Sequence, residues 1–124
     1  MTQLANPISR PLRVFCIEDN PLIVFHLEQI IEELGHIFAG AVDSFEDLQE
    51  RWFNIELDCA LVDIDLADGR TGPQAVDWLA SHGVPAVFVT GQDSIAKKHA
   101  NSVIGIVPKP IVPSTLAAAL ESLS

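Results

Sequence analysis

Five polar or charged side chains stand at the ends of short apolar runs, where they could act together in one reaction. They are Glu18 and Asp19 after the first run, Asp63 after the third, Thr90 after the fourth and Lys109 after the fifth. Three carboxylates held close together repel one another unless a cation lies among them. Carboxylate oxygens completed by water suit Mg²⁺. A carboxylate beside Mg²⁺ can attack phosphorus and form an aspartyl phosphate, so these residue types indicate phosphoryl-transfer chemistry.

Each residue type in this set favours one role. Asp63 is the best candidate nucleophile, because it ends a central strand of the predicted sheet. Glu18 and Asp19 are better placed as Mg²⁺ ligands, or as acceptors for metal-bound water. Lys109 and Thr90 could neutralise and hydrogen-bond the equatorial oxygens of an incoming phosphoryl group. Singly, each residue is more typical of a helix cap or a turn, so only the combination indicates a site.

The elements that must position these residues form five β–α units. Apolar runs predict strands at residues 14–17, 37–42, 59–62, 86–89 and 103–107. Segments with helical spacing follow each run, and their start signals are Asn20-Pro21, Ser44, Pro73, Asp93 or Ser94, and Pro113. This alternation predicts an α/β fold with a single doubly wound, five-stranded parallel sheet and helices on both faces. Such sheets bind ligands beyond the carboxyl ends of their strands, where the five polar residues fall.

Composition and charge exclude several classes of function. A chain of 124 residues fits one domain, with residues 1–12 predicted as a leader and residues 13–124 as the folded part. It has 17 Asp and Glu against 7 Lys and Arg, a formal net charge of −10, which argues against nucleic-acid binding and against docking on an anionic membrane. No apolar run approaches the ~20 residues that cross a bilayer, and no signal peptide is evident. The predicted location is the cytoplasm.

Cysteine and histidine offer no competing metal site. Cys16 and Cys59 lie inside apolar runs, which predicts buried thiols rather than a disulfide framework. Four histidines fall on predicted helices or at their ends, without the ligand spacing of zinc sites: His26, His36, His82 and His99. We interpret them as surface or helix-end residues.

Over residues 13–123 the chain resembles the receiver domain of two-component response regulators. The resemblance rests on VFCIEDN at the first strand end, ALVDIDL at the third, FVTG at the fourth and VPKP after the fifth. It implies the flavodoxin-like strand order 2-1-3-4-5. It also implies a phosphoacceptor switch in a phosphorelay rather than an enzyme, with at most Mg²⁺-dependent self-phosphorylation and self-dephosphorylation.

The resemblance implies partners as well. The phosphoryl donor would be a histidine kinase or a histidine phosphotransfer protein. As a stand-alone receiver, the chain would signal through a downstream protein on the face made by the fourth helix, fifth strand and fifth helix, or would act as a phosphate sink. Homodimerisation is left open.

The resemblance implies a role for each motif residue around the metal. Asp63 would accept the phosphoryl group, and Glu18 and Asp19 would be the acidic pair that serves Mg²⁺. Asp63 would also be a metal ligand. Asp65, two residues further on, would contribute its backbone carbonyl to the metal.

The switching residues both match and depart from the family pattern. The resemblance implies that Thr90 follows the phosphoryl group and that Lys109 pairs first with the acceptor and then with the phosphate, with a cis bond to Pro110. Receivers commonly carry Tyr or Phe three residues before the lysine, where this chain has Ile106. FVTG is similar to the Phe-Ala-Thr-Gly motif of a subgroup, rich in single-domain regulators, that also lacks that aromatic. Members of the subgroup usually have tyrosine where Asp93 stands.

Three alternatives stay open. The loop at residues 66–73 has its proline later than usual, so Asp68 and Arg70 could tune the phosphoryl lifetime, although Arg70 is slightly more typical of a solvated loop residue. The DID sequence at residues 63–65 resembles the DxD motif of haloacid-dehalogenase-type phosphatases, but no later acidic pair completes that site and the motif leaves Glu18 and Asp19 unexplained. A pseudo-receiver that only binds partners usually lacks the acceptor, the acidic pair or the lysine, all of which this chain has.

Overall fold

Five parallel strands form one sheet in the computed structural model, which describes residues 10–123. The strands are β1 (Arg13–Ile17), β2 (Ile37–Val42), β3 (Cys59–Val62), β4 (Ala86–Thr90) and β5 (Gly105–Pro108). The helices are α1 (Pro21–Glu33), α2 (Phe45–Arg51), α3 (Gly72–Ser81), α4 (Asp93–Lys98) and α5 (Pro113–Glu121). The strand order is β2-β1-β3-β4-β5, so the predicted fold class and strand order are confirmed.

The core lies on both faces of this sheet, because successive strand residues point to opposite sides. On one face, residues such as Val14 and Cys16 pack against apolar side chains of α1 and α5. On the other face, residues such as Phe15 and Ile17 pack against α2, α3 and α4. Every residue of β3 and β4 is buried. The central strands are therefore covered on both faces, and the polar residues that follow them lie at the ends of the strands.

Two helix starts were predicted well. The Asn20 side chain accepts a hydrogen bond from the Leu22 N–H at 3.0 Å and caps α1. The Ser44 hydroxyl accepts one from the Asp47 N–H at 2.9 Å and caps α2. Both caps satisfy N–H groups that have no partner within the helix.

Other boundaries differ from the prediction. The cap of α4 is Gln92 rather than Asp93 or Ser94, and Asp93 instead pairs with Lys97 one turn later at 3.0 Å. The fifth strand is Gly105–Pro108 rather than residues 103–107, because this edge strand pairs only with β4, and that register begins at Gly105. Helix α3 begins at Gly72, one residue before the predicted proline.

Buried thiols and one buried histidine complete the core. Cys16 and Cys59 are buried as predicted, and burial raises the pKa of Cys59 to about 12. The interpretation of His36 as a surface or helix-end residue is wrong, because it is 7% exposed and its Nδ1 accepts a hydrogen bond from the Leu12 N–H at 3.0 Å. Burial lowers the pKa of His36. The backbone N–H of Leu12, the residue before β1, is buried and needs a hydrogen-bond acceptor. The neutral imidazole of His36 supplies it.

The predicted leader falls largely on residues 1–9, outside the described residues. Its last residue, Leu12, is 1% exposed and belongs to the core. Among residues 10–123, no helix combines the length and the apolar character that a bilayer crossing requires.

Candidate functional site

Three carboxylates converge at the carboxyl ends of β1 and β3. Oxygens of Glu18, Asp19 and Asp63 all lie within 4.8 Å of one another. The sheet brings them together, because the register pairs the last residues of β1 and β3, Ile17 and Val62, and the next residues leave the sheet side by side. Glu18 and Asp63 are buried, whereas Asp19 is exposed.

Lys109 lies between the two buried carboxylates. Its Nζ donates to Glu18 Oε1 and to Asp63 Oδ2, both at 2.9 Å. The other oxygen of Asp63, Oδ1, accepts from the Ile64 N–H at 2.8 Å. The backbone N–H of Lys109 donates to the Thr90 carbonyl at 3.0 Å, and its peptide bond to Pro110 is cis, as expected. Residues far apart in the chain are thus held at one point by β1, β3 and β5.

The electrostatics of this cluster favour a further cation. Burial raises the pKa of Glu18, and the negative charge of Asp63 adds to the rise, although the hydrogen bond from Lys109 opposes it. Burial lowers the pKa of Lys109, but its hydrogen bonds to Asp63 and Glu18 outweigh this and the net shift is upward. With three carboxylates and one ammonium the cluster has a formal charge of −2. A divalent cation would balance it, and oxygen ligands without sulfur or imidazole suit Mg²⁺.

Thr90 ends β4 at 1% exposure, and its Oγ accepts a hydrogen bond from the Gln92 N–H at 2.9 Å. Ile106, in the position where an aromatic was expected from the family pattern, is half-buried and packs on the face covered by α2, α3 and α4. Asp93, at the other departure, pairs with Lys97. The threonine is therefore present in the site, and neither of the usual aromatic partners accompanies it.

Asp65 faces the outer rim of the site. Its carboxylate accepts a hydrogen bond from Arg70 Nε at 2.9 Å and another from the Gln92 side-chain amide. Arg70 also donates to the Gln92 side-chain oxygen at 3.2 Å. Gln92 carries no motif signal and was missed from the sequence. Gln92 stands two residues after Thr90, just as Asp65 stands two residues after Asp63. This equal spacing is the one sequence feature that could have indicated their proximity.

Asp68 does not face the carboxylate cluster. Its carboxylate accepts hydrogen bonds from the N–H groups of Phe45 at 3.2 Å and Glu46 at 3.0 Å, at the start of α2. The Thr71 hydroxyl donates to it as well, at 2.6 Å. Burial raises the pKa of Asp68, but these hydrogen bonds outweigh it and the net shift is downward. Asp68 therefore links the loop after β3 to the start of α2 and does not line the site.

Gly72 is a second residue that the sequence did not single out. A side-chain carbon there would lie 2.1 Å from the Asp63 carbonyl oxygen and 2.5 Å from Ile64 Cα. The Gly72 N–H donates to the Ile64 carbonyl at 3.0 Å. Helix α3 therefore begins directly against the backbone of Asp63, at a distance that only glycine allows.

Comparison with known proteins identifies the family. The model of the response regulator receiver domain matches residues 14–121. The chain belongs to this family. Among the relatives of this receiver is the phyllosphere-induced regulator PhyR of Methylorubrum extorquens, which is 31% identical over 111 residues. That alignment covers 87% of this chain and 42% of PhyR, so the receiver spans less than half the length of that relative.

Solved structures agree with this assignment. The receiver domain of PhyR from Erythrobacter litoralis superposes with a TM-score of 0.81 at 30% identity, covering 91% of this chain and 89% of that one. SdrG from Sphingomonas melonis gives a TM-score of 0.77 at 29% identity, with coverage of 94% and 98%. The anti-anti-sigma factor PhyR from Bartonella quintana gives 0.80 at 27% identity, with coverage of 93% and 48%.

Proposed function

We propose that this receiver accepts a phosphoryl group on Asp63 from a histidine kinase or a histidine phosphotransfer protein. The observation that carries the proposal is the cluster of Glu18, Asp19 and Asp63 with one ammonium, Lys109, held 2.9 Å from both buried carboxylates. The cluster has the nucleophile, the oxygen ligands and the positive charge that phosphoryl transfer to a carboxylate requires.

The residues divide the work as follows. Glu18, Asp19, Asp63 and the backbone carbonyl of Asp65 would hold Mg²⁺, which supplies positive charge to the phosphoryl oxygens when bound. A carboxylate oxygen of Asp63 attacks phosphorus, the bond from phosphorus to the donor's imidazole nitrogen breaks, and the nitrogen keeps the electron pair. Lys109 exchanges its hydrogen bond to Asp63 for one to a phosphoryl oxygen. The Thr90 hydroxyl, whose oxygen accepts a hydrogen bond from the Gln92 N–H, donates a hydrogen bond to another phosphoryl oxygen.

The donor would dock beside the acidic pair. Leu22 is 77% exposed and Phe25 is 59% exposed, and both lie in the first turns of α1, which begins directly after Glu18, Asp19 and Asn20. An apolar surface this close to the acceptor fits a protein donor, because the donor must bury its own surface while it brings its phosphoryl group to Asp63.

The output would pass through protein contacts on the face made by α4, β5 and α5. Alternatively, the receiver would act as a phosphate sink that withdraws phosphoryl groups from a shared donor. The net charge of −10 disfavours a nucleic-acid target. A similar protein, PhyR of Bartonella quintana, is an anti-anti-sigma factor, which favours a protein target. We further propose that residues 13–124 are the receiver domain, that the residues before them are a leader whose last residue, Leu12, packs into the core of the domain, and that the protein works in the cytoplasm.

The test is the intact mass of the protein after incubation with Mg²⁺ and a small phosphodonor such as acetyl phosphate or phosphoramidate. The wild type should gain the mass of one phosphoryl group, labile to hydroxylamine, and Asp63→Asn should gain none. Asp58→Asn is the matched control, because it makes the same substitution at the amino end of β3, away from the cluster. It should gain the phosphoryl group like the wild type.

No mass gain with any small donor or with a purified histidine kinase would contradict the proposal and favour a pseudo-receiver. Steady hydrolysis of a phosphomonoester that depends on the Asp65 side chain would favour the phosphatase instead.

A further inference from the structure

The loop after β3 is hydrogen-bonded to the segment that begins α2. Asp68 in this loop accepts hydrogen bonds from the N–H groups of Phe45 at 3.2 Å and Glu46 at 3.0 Å, in the first turn of α2. The neighbouring Ala67 N–H donates to the Asp43 carbonyl at 2.8 Å, just ahead of the helix. We call these contacts of Ala67 and Asp68 the α2 clasp. They connect the sheet edge that carries the carboxylate cluster to a helix outside it.

The loop that forms the α2 clasp also carries an expected metal ligand. The backbone carbonyl proposed to hold Mg²⁺ belongs to Asp65, two residues before Ala67 and three before Asp68. Between them, Leu66 is buried, and its N–H and carbonyl pair with those of Gly69 at 2.8 and 3.0 Å. Residues 65–69 therefore form one compact turn, so a shift of the Asp65 carbonyl also shifts Asp68.

The start of α2 also faces the carboxylate cluster across a cavity of about 420 Å³. Glu18 and Asp19 line this cavity from the cluster, and Asp43 and Asp47 line it from the segment that begins α2. Like charges on the two sides repel one another, and a cation on the cluster reduces that repulsion. A bound cation therefore acts on the start of α2 both through the loop and across the cavity.

We propose that the α2 clasp couples cation binding at the carboxylate cluster to helix α2, so that bound Mg²⁺ and the closed clasp stabilise each other. Asp68 is a positioning residue in this coupling, because it acts through the loop that carries the Asp65 carbonyl rather than on the metal itself. The inference rests on the proposed Mg²⁺ site. It adds α2 to the elements that respond to the state of that site.

The coupling follows from the ordering of one shared loop. Fixing residues 65–69 costs conformational entropy, whether a metal holds the Asp65 carbonyl or α2 holds Asp68. When both contacts order the same residues, that cost arises only once, so each contact makes the other more favourable. Such coupling is reciprocal. The factor by which Mg²⁺ stabilises the α2 clasp must equal the factor by which loss of the clasp weakens Mg²⁺ binding.

The far end of α2 offers an optical reporter of this change. The helix ends against Trp52, whose ring centroid lies 4.8 Å from that of Trp78 on α3. The chain has two tryptophans and no tyrosine. Tryptophan fluorescence therefore reports the junction of α2 and α3 alone, and a displacement of α2 should change it.

Hydrogen exchange and metal affinity measure the two sides of the coupling. Exchange of the Phe45 and Glu46 N–H groups is followed by NMR with and without saturating Mg²⁺. In the wild type, Mg²⁺ should raise their protection about fivefold, at the lower end of typical couplings. Asp68→Ala should abolish this increase. In isothermal titration calorimetry, Asp68→Ala should bind Mg²⁺ more weakly by the same factor.

Ser44→Ala is the matched control. The Ser44 hydroxyl also accepts a hydrogen bond from the first turn of α2, from the Asp47 N–H at 2.9 Å, but Ser44 is the helix's own cap and its bond links α2 to no other loop. Ser44→Ala should lower the protection of α2, yet it should keep the wild-type gain on adding Mg²⁺ and the wild-type Mg²⁺ affinity. Asp68→Asn keeps one acceptor oxygen, so it should be intermediate, and it provides the test if Asp68→Ala does not fold.

Tryptophan fluorescence checks that the change passes along α2. Emission of the wild type should change on adding Mg²⁺, with the same midpoint as the calorimetric titration. The change should remain in Ser44→Ala and disappear in Asp68→Ala. An emission change that persists in Asp68→Ala would contradict the inference, because the metal would then reach Trp52 and Trp78 by another route.

The other outcomes are equally decisive. A wild type that binds Mg²⁺ without added protection at Phe45 and Glu46 would overturn this inference and leave the metal site standing. Wild-type Mg²⁺ affinity in Asp68→Ala would do the same, as would unequal factors in exchange and affinity. A wild type that binds no Mg²⁺ would instead overturn the proposed metal site, and this inference with it.

Discussion

Carboxylates lie at both ends of the parallel strands but in opposite electrostatic surroundings. We call the end where the strands begin the amino edge of the sheet and the end where they finish the carboxyl edge. At the amino edge, Asp58 accepts hydrogen bonds from the Arg13 N–H at 2.8 Å and from the Arg13 guanidinium at 3.2 Å, and Arg10 lies 3.3 Å away. These hydrogen bonds lower the pKa of Asp58 to about 2. Asp58 thus has two arginines beside its single negative charge. Its ionised form is stabilised, and this charge stabilises the fold.

At the carboxyl edge the balance is reversed. Glu18, Asp19 and Asp63 share a single ammonium, Lys109, and burial raises the pKa of Glu18. The ionised cluster is therefore held at a cost to stability, and its unbalanced charge is available to a cation. A carboxylate whose charge is balanced by arginines thus lies in the structural part of this fold, whereas carboxylates in excess of their cations lie in the part that can bind.

The largest expected effect on stability comes from Lys109→Met, which removes the ammonium group of the carboxyl edge. Without divalent cations at pH 7.5, the variant should lose about 2 kcal/mol of unfolding free energy, because two buried carboxylates then face each other; the figure is reduced for the 22% exposure of Lys109. The loss should shrink as the pH falls, since burial raises the pKa of Glu18 and lets it bind a proton more readily. Urea unfolding measures this, and equal stability of variant and wild type would refute the idea that Lys109 holds the cluster together.

A smaller effect is expected on the metal. Glu18→Gln and Asp19→Asn should each weaken Mg²⁺ binding by about tenfold or more, because each removes a charged oxygen ligand from the cluster. Isothermal titration calorimetry with Mg²⁺ provides the measurement. Asp58→Asn serves as the control from the amino edge and should bind Mg²⁺ like the wild type. Unchanged affinity in both cluster variants would place the metal elsewhere.

At the amino edge, Asp58→Asn should cost about 1 kcal/mol at pH 7, an estimate reduced for the exposure of both arginines. The pKa of Asp58 is about 2 in the folded state and 3.8 in the unfolded chain, so its contribution is complete above pH 3.8 and is lost as the pH falls toward 2. The difference between variant and wild type, measured by urea unfolding, should therefore shrink as the pH falls and disappear below pH 2. A difference that persists there would mean that Asp58 acts through packing rather than charge.

The smallest effect belongs to His36. Its folded pKa lies below the unfolded value of 6.5, so the neutral ring stabilises the protein above pH 6.5 and this contribution is lost as the pH falls below it. We expect a loss of about 0.5 kcal/mol between pH 7 and pH 5.5 that is absent in His36→Asn, whose amide oxygen can still accept from Leu12 without titrating. Parallel pH profiles of the two proteins would contradict this role.

The sequence predicted those features that local patterns encode. Apolar runs located all five strands, and the residues directly after them, such as Glu18, Asp63 and Lys109, could be placed at one edge because parallel strands share it. The caps Asn20 and Ser44 were also recognisable, because a capping side chain bonds within three residues of itself.

Contacts between loops were not predictable in this way. Asp68 bonds to the start of α2, more than twenty residues earlier in the chain, and Gln92 reaches back to Asp65 over a similar distance. Gly72 is required by the backbone of Asp63 rather than by a turn of its own. Each depends on how two elements pack, and no spacing in the sequence reports that.

Asp63 is the residue that we expect to become phosphorylated, and both its neighbours in the cluster and the loop carboxylate Asp65 are competing acceptors. Reduction with borohydride after loading with acetyl phosphate and Mg²⁺ converts an aspartyl phosphate to homoserine, and mass spectrometry of the peptides then shows which residue changed. We predict homoserine at position 63 and at no other carboxylate of the cluster. Homoserine at Asp19 or Asp65, or phosphate retained on a histidine, would contradict the assignment of Asp63 and with it the division of the sheet into a structural and a reactive edge.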